Sequence, residues 1–110
     1  MEVLAIIVFS IAAGLLALAA THWLEKGFLF NNAYIYASKK ERETMDKKPY
    51  YRQSAVVFLL LAGSFIAIGL RTLTGSGWWA IAEAACLIGA CVWAFVSTAR
   101  IRKKKEEKQP

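Results

Sequence analysis

Three long apolar stretches, separated by a polar connector and a short turn, predict the fold of this chain. Residues 3–24, 54–70 and 78–99 contain a single Asp, Glu, Lys or Arg between them, Glu83. A helix of about 20 apolar residues, at a rise of about 1.5 Å each, crosses a hydrocarbon core of about 30 Å. The pattern therefore predicts an all-α membrane protein with three transmembrane helices in one domain.

A cleaved signal peptide is the competing interpretation of the first stretch. Residues 17–19 have a small side chain at the first and third positions, as a cleavage site does. A signal peptide also begins with basic residues, however, and the first Lys or Arg here is Lys26. We therefore interpret 3–24 as a span, with His22 at the membrane interface. Small residues at helical spacing predict its packing seam: Ser10, Ala13, Gly14, Ala17 and Thr21.

The polar connector, residues 25–53, begins with an aromatic, interfacial segment as far as residue 37. Ser38 followed by Glu41 matches a capping box, in which each side chain satisfies a free amide of the other residue. A short helix over about 39–48 should follow. Pro49 then breaks it, because proline lacks the amide hydrogen that a helix interior requires, and it can open the next helix.

The third stretch contains the clearest packing pattern. Small side chains recur every fourth residue, which lets helix backbones approach closely in lipid. They predict that this face contacts the other two spans or a second copy of the protein. The stretch also holds both cysteines, Cys86 and Cys91, which point in different directions on a helix and so predict no disulfide. The predicted packing residues are Ala82, Cys86, Ala90 and Ala94, continued by Thr98.

Glu83 is the one Asp, Glu, Lys or Arg within an apolar stretch, and such residues are functional hypotheses because their burial in lipid is costly. It follows Trp78 by only five residues, roughly 7–8 Å along a helix, so it is shallow. We expect a polar pair with Arg71 across the turn 71–77. A proton- or cation-coupling role for Glu83 is the alternative.

The distribution of basic residues predicts orientation. The connector and the frayed, basic tail, residues 100–110, hold 13 of the 14 Lys and Arg residues, and Arg71 is the other one. Loops rich in Lys and Arg stay on the cytoplasmic side. The amino terminus and the turn near Gly75 are therefore expected outside, with the connector and the tail inside.

The charged run 38–48 and the arginine that follows it resemble the signature of a family of small bacterial membrane proteins, known as domain of unknown function thirty-seven eighty-four. In that family a first span, a polar motif and two further spans follow one another. The resemblance implies this layout, a bacterial membrane location and no activity. The matching positions are Tyr34, Ser38, Glu41, Asp46 and Arg52, and the departures are Ala33, Ile35 and Tyr36.

No catalytic triad, paired carboxylates, phosphate-binding loop, metal cluster or nucleic-acid motif is evident, so we expect neither an enzyme nor a cofactor. The favoured function is interaction with lipid, another membrane protein or a second copy, in an accessory, structural or immunity-like role. Bacterial immunity proteins are similar in carrying a polar motif between spans. Two alternatives are a small oligomeric transporter that couples through Glu83 and a holin-like pore former.

Overall fold

The computed structural model describes residues 2–108 and consists of five helices in that range. They are α1 (Glu2–Trp23), α2 (Asn32–Ile35), α3 (Lys39–Thr44), α4 (Lys48–Thr74) and α5 (Trp78–Lys108). Helices α1, α4 and α5 are long and apolar enough to cross a membrane. The prediction of an all-helical chain with three potential spans is thereby confirmed.

Helix α4 is the central element, because both α1 and α5 pack against it. On α1, the buried side chains recur at intervals of three, four or seven residues and form one stripe. The seam predicted for α1 is wrong, because its five small residues all point away from α4 and are exposed. Small residues occur on both faces of α1, so spacing alone could not select the packed face. The buried residues are Ala5, Val8, Ala12, Ala19 and His22.

The two longer spans extend beyond their predicted limits. Helix α4 includes residues 48–53, which were assigned to the connector, and residues 71–74, so the connector ends at residue 47. Pro49 lies in the first turn of α4, and Gly75, whose φ of 71° is favourable for glycine, caps its carboxyl end. The Gly75 amide donates to the Arg71 carbonyl at 2.8 Å. Helix α5 continues to Lys108, so the prediction of a frayed tail is wrong for 100–108. Lys, Arg and Glu are good helix formers. Residues 109–110 lie outside the described part of the chain.

Helix α3 is shorter than the predicted 39–48. It ends at Thr44, and Met45 is extended with a ψ of 133°. The Asp46 Oδ1 then accepts a bond from the Lys48 amide at 3.3 Å, as in an Asx turn, which directs the backbone from α3 into α4. The elbow between α3 and α4 therefore consists of residues 45–47.

Gly69 on α4 packs directly against the ring of Phe9 on α1. A Cβ atom at this position would lie 2.6–2.9 Å from three ring atoms of Phe9, whereas one at Gly14 would meet no atom within 4 Å. We expect Gly69→Leu to displace Phe9 and lower the free energy of unfolding by about 1–3 kcal/mol relative to Gly14→Leu. Denaturation by SDS in mixed micelles measures the difference. Equal stabilities of the two variants would contradict the close α1–α4 packing.

Candidate functional site

Gln53 joins three parts of the chain where the long helices meet the connector. Its side chain is buried on α4, and its Nε2 lies 2.8 Å from both the Ser97 Oγ and the Thr98 Oγ1 on α5. Its Oε1 accepts from the Asn31 Nδ2 at 2.9 Å. The indole of Trp93 donates to the Gln53 backbone carbonyl at 3.2 Å. One side chain thus connects α4, α5 and the connector.

Ser54 extends this network toward the end of α1. Its Oγ accepts from the Asn31 Nδ2 at 2.9 Å and donates to the Phe30 carbonyl at 3.1 Å. Hydrogen bonds between membrane helices contribute about 0.6 kcal/mol each on average and up to about 1.7 kcal/mol. The Gln53 network, defined as Asn31, Gln53, Ser54, Ser97 and Thr98, therefore stabilises the connector against both α4 and α5.

His22 forms a second attachment of the connector, this time to α1. Its ring is almost fully buried, at 1% exposure, where the expectation was an interfacial side chain. Its Nδ1 lies 2.8 Å from the Leu18 carbonyl, and its Nε2 lies 3.0 Å from the Phe30 amide. A carbonyl only accepts and an amide only donates, so this geometry places the proton on Nδ1 of a neutral ring. The ring also packs edge-on against Tyr51 and Phe58.

Arg42 joins two segments of the connector, α3 and α2. Its guanidinium donates to the carbonyls of Tyr34 at 2.9 Å and Ile35 at 2.8 Å, which closes the carboxyl end of α2. The same group lies 4.6 Å from the centre of the Tyr34 ring, and the Lys47 ammonium lies 5.4 Å from it. Arg42 was not among the predicted interaction residues. Its central role depends on the fold of the connector.

The five predicted interaction residues do not form one surface. Tyr34 is held between Arg42 and Lys47, and the Arg52 guanidinium lies 5.4 Å from the Trp23 ring. The Ser38 Oγ accepts from the Glu41 amide at 3.1 Å, which is one of the two bonds of the predicted capping box. Only the side chains of Glu41 and Asp46 meet at a common site.

That site is a cavity of about 340 Å³ between the α3–α4 elbow and the basic part of α5. We call it the α3–α5 cavity. Acidic side chains approach it from α3 and the elbow, and basic side chains approach it from α5. Ligand pockets in proteins span about 300–1,000 Å³, so the cavity is large enough for a small headgroup. Its lining residues are Glu41, Thr44, Met45, Asp46, Pro49, Tyr50, Arg100, Ile101 and Lys104.

The predicted polar pair lies toward the other end of α4 and α5. The Arg71 Nη2 is 3.6 Å from the Glu83 Oε2, an ion pair that is too long for a hydrogen bond. This oxygen is buried and has no hydrogen-bond partner within residues 2–108. About 26 Å of helix, at about 1.5 Å per residue, separates Glu83 from Arg100. The pair is therefore remote from the α3–α5 cavity.

The predicted packing residues of α5 lie along α4. Ala90 is buried, Ala82, Cys86 and Ala94 are half-buried, and the Cys86 Sγ lies 3.2 Å from where a Cβ on Gly63 would stand. Where the structure describes side chains, at residues 2–31 and 34–104, no group of three His, Cys, Asp or Glu side chains is arranged to hold a metal ion.

A comparison with known protein families identifies the family of this chain. A family model described as Domain of unknown function (DUF3784) matches residues 3–102. The chain belongs to the DUF3784 family. The DUF3784 match includes all residues of the Gln53 network and every cavity residue except Lys104. No curated protein and no solved structure matches the chain.

Proposed function

We propose that this DUF3784 chain is a non-enzymatic, multi-pass protein of the bacterial cytoplasmic membrane that binds another membrane protein through its connector. The observation that carries the proposal is that His22 and the Gln53 network attach the connector to the long helices, while Arg42 joins α3 to α2 within it. A segment that is ordered before binding loses less conformational entropy in the complex. A fixed connector is therefore better suited to recognition than a flexible linker.

The outer side of α3 is the part of the connector that we propose meets the partner. Lys39, Lys40 and Glu43 are exposed there, so this surface carries charges of both signs. Mixed charge favours a protein surface of complementary pattern over simple adhesion to anionic lipid. In the proposed orientation, the amino terminus is outside, and the connector and the basic end of α5 are cytoplasmic.

Site-specific photo-cross-linking in cells tests this proposal. A benzophenone side chain at Lys40 should give a discrete adduct with another membrane protein, whereas the same group at Val92, which is exposed on α5, should not. Arg42→Gln should reduce the Lys40 adduct severalfold, because it releases the carboxyl end of α2 and the Tyr34 ring. An adduct at neither position, or one that Arg42→Gln leaves unchanged, would contradict the proposal.

Cysteine labelling tests the orientation separately. Single cysteines at Lys40 and Lys103, in a background without Cys86 and Cys91, should both react only after the membrane is permeabilised. A cysteine at Ser76, in the turn between α4 and α5, should react in intact cells. Labelling of Lys40 and Lys103 on opposite sides would overturn the topology.

A further inference from the structure

We propose that the α3–α5 cavity binds the headgroup of a phospholipid that carries both a phosphate and a primary amine, as phosphatidylethanolamine does. The inference requires that the three long helices lie in a membrane, and it does not depend on the protein partner proposed above. It rests on the signs, positions and pairing of the charged side chains around the cavity, and on the depth at which the cavity lies.

The two charged sides of the cavity come from separate elements. Arg100 and Lys104 are four residues apart and therefore lie on one face of α5. Glu41 on α3 and Asp46 in the elbow supply the carboxylates. A ligand between these elements would meet two cationic groups on one side and two anionic groups on the other.

These four charged side chains do not form ion pairs with one another. Among the side chains that the structure describes, those of residues 2–31 and 34–104, the ion pair closer than 4 Å is Arg71 with Glu83, so no pair of this length joins the acids to the bases across the cavity. The Asp46 Oδ1 accepts from the Lys48 amide at 3.3 Å, which leaves its other carboxylate oxygen available. The cavity thus presents charges of both signs to a ligand.

A zwitterionic amine–phosphate group matches this arrangement. Guanidinium and ammonium groups bind phosphate oxygens through charge-assisted hydrogen bonds. A primary ammonium can donate three hydrogen bonds to carboxylates, whereas the quaternary ammonium of phosphatidylcholine has no N–H to donate. The headgroup of phosphatidylglycerol has the same phosphate but ends in a neutral glycerol, so neither carboxylate would meet a cationic donor. The chemistry therefore distinguishes three common headgroups.

The depth of the cavity favours a lipid over a soluble amine–phosphate. On α5 the apolar stretch ends at Ala99 and the basic residues begin at Arg100, which is the expected position of the headgroups. Tyr50, an aromatic residue of the kind enriched at this depth, also lines the cavity. The side chains of Met45 and Ile101 supply apolar lining for the glycerol and the first methylene groups.

Lipid retention by the full-length protein tests the assignment. The protein is delipidated in mild detergent, incubated with equal amounts of phosphatidylethanolamine, phosphatidylcholine and phosphatidylglycerol, and re-purified, and its bound lipid is quantified by mass spectrometry. We expect about tenfold preference for phosphatidylethanolamine over each of the other two, since each of those loses charge-assisted hydrogen bonds. Equal retention of all three lipids, or a preference for phosphatidylglycerol, would overturn the proposal.

Paired substitutions separate the two halves of the headgroup. Glu41→Gln with Asp46→Asn should abolish the preference over phosphatidylglycerol while phosphate binding persists. Arg100→Gln with Lys104→Gln should remove retention of all three lipids. Glu25→Gln and Lys103→Gln make the same changes of charge at exposed residues outside the cavity, and these control variants should retain lipid as the wild type does. Circular dichroism and gel filtration check that each variant is folded.

Two further outcomes would contradict the assignment. A preference for phosphatidylethanolamine that survives Glu41→Gln with Asp46→Asn would place the amine elsewhere. Water-soluble phosphoethanolamine is the probe for a non-lipid source. If it displaces bound phosphatidylethanolamine at equimolar concentration, the site recognises the soluble group and the lipid assignment is wrong.

Discussion

Replacing Gln53 by Leu should lower the free energy of unfolding by about 2–4 kcal/mol, the largest loss we expect from a single polar side chain. Leucine fills a similar volume but cannot bond to Asn31, Ser97 or Thr98, and these groups would be left without the partner they have in the buried network. Unfolding by SDS in mixed micelles, followed by circular dichroism, measures the loss.

The control for Gln53→Leu is Ser10→Ala. Ser10 bonds only to the Ile6 carbonyl of its own helix and is exposed, so its removal should change stability little. A double-mutant cycle between Gln53→Leu and Ser97→Ala should show a clear coupling energy, because the two side chains are 2.8 Å apart. Additive effects would mean that the bond to Ser97 does not stabilise the α4–α5 contact.

His22→Phe should be comparably destabilising, by about 2–3 kcal/mol. Phenylalanine keeps an aromatic ring beside Tyr51 and Phe58 but removes the acceptor for the Phe30 amide and the donor to the Leu18 carbonyl. The connector would then lose the bond that joins Phe30 to the His22 side chain on α1. Hydrogen exchange at the Phe30 amide reports this loss directly, because an amide without a partner exchanges faster.

Two measurements separate the effect of the His22 hydrogen bonds from the effect of the packing of its ring. His22→Gln places an amide oxygen near the position of Nε2 and should restore part of the protection of the Phe30 amide. In the wild type, ¹⁵N chemical shifts of the ring should show a neutral imidazole protonated at Nδ1. A ring protonated only at Nε2 would contradict both bonds, since the Phe30 amide would face another donor.

The attachment sites have a common consequence for the connector. The segment 30–35 is bound by three side chains that come from α1, α3 and α4. They are His22, Arg42 and Gln53, respectively. The α3–α5 cavity adjoins this fixed segment through the elbow that starts α4. A change that releases the connector should therefore disturb partner binding and lipid binding together, whereas a change confined to the cavity should disturb lipid binding alone.

The sequence by itself determined the helical class, the number of potential spans and approximately where each lies. These features depend on the hydropathy of consecutive residues, which is a local property. The sequence also indicated that Pro49 can open a helix and that Gly75 is part of a turn, because their backbone preferences are properties of single residues. The break assigned to Pro49 lies earlier, at residues 45–47.

The tertiary structure decided which residues meet. Small residues on α1 lie on several faces, and only the position of α4 decides that Ala12 is buried and Gly14 exposed. Gln53 and Ser97 are 44 residues apart, so no local pattern pairs them. Likewise, Glu41 and Lys104 become neighbours of one cavity only because the elbow brings α3 beside the inner end of α5. Hydropathy is a property of consecutive residues, whereas packing and hydrogen bonds join residues that are far apart in the sequence.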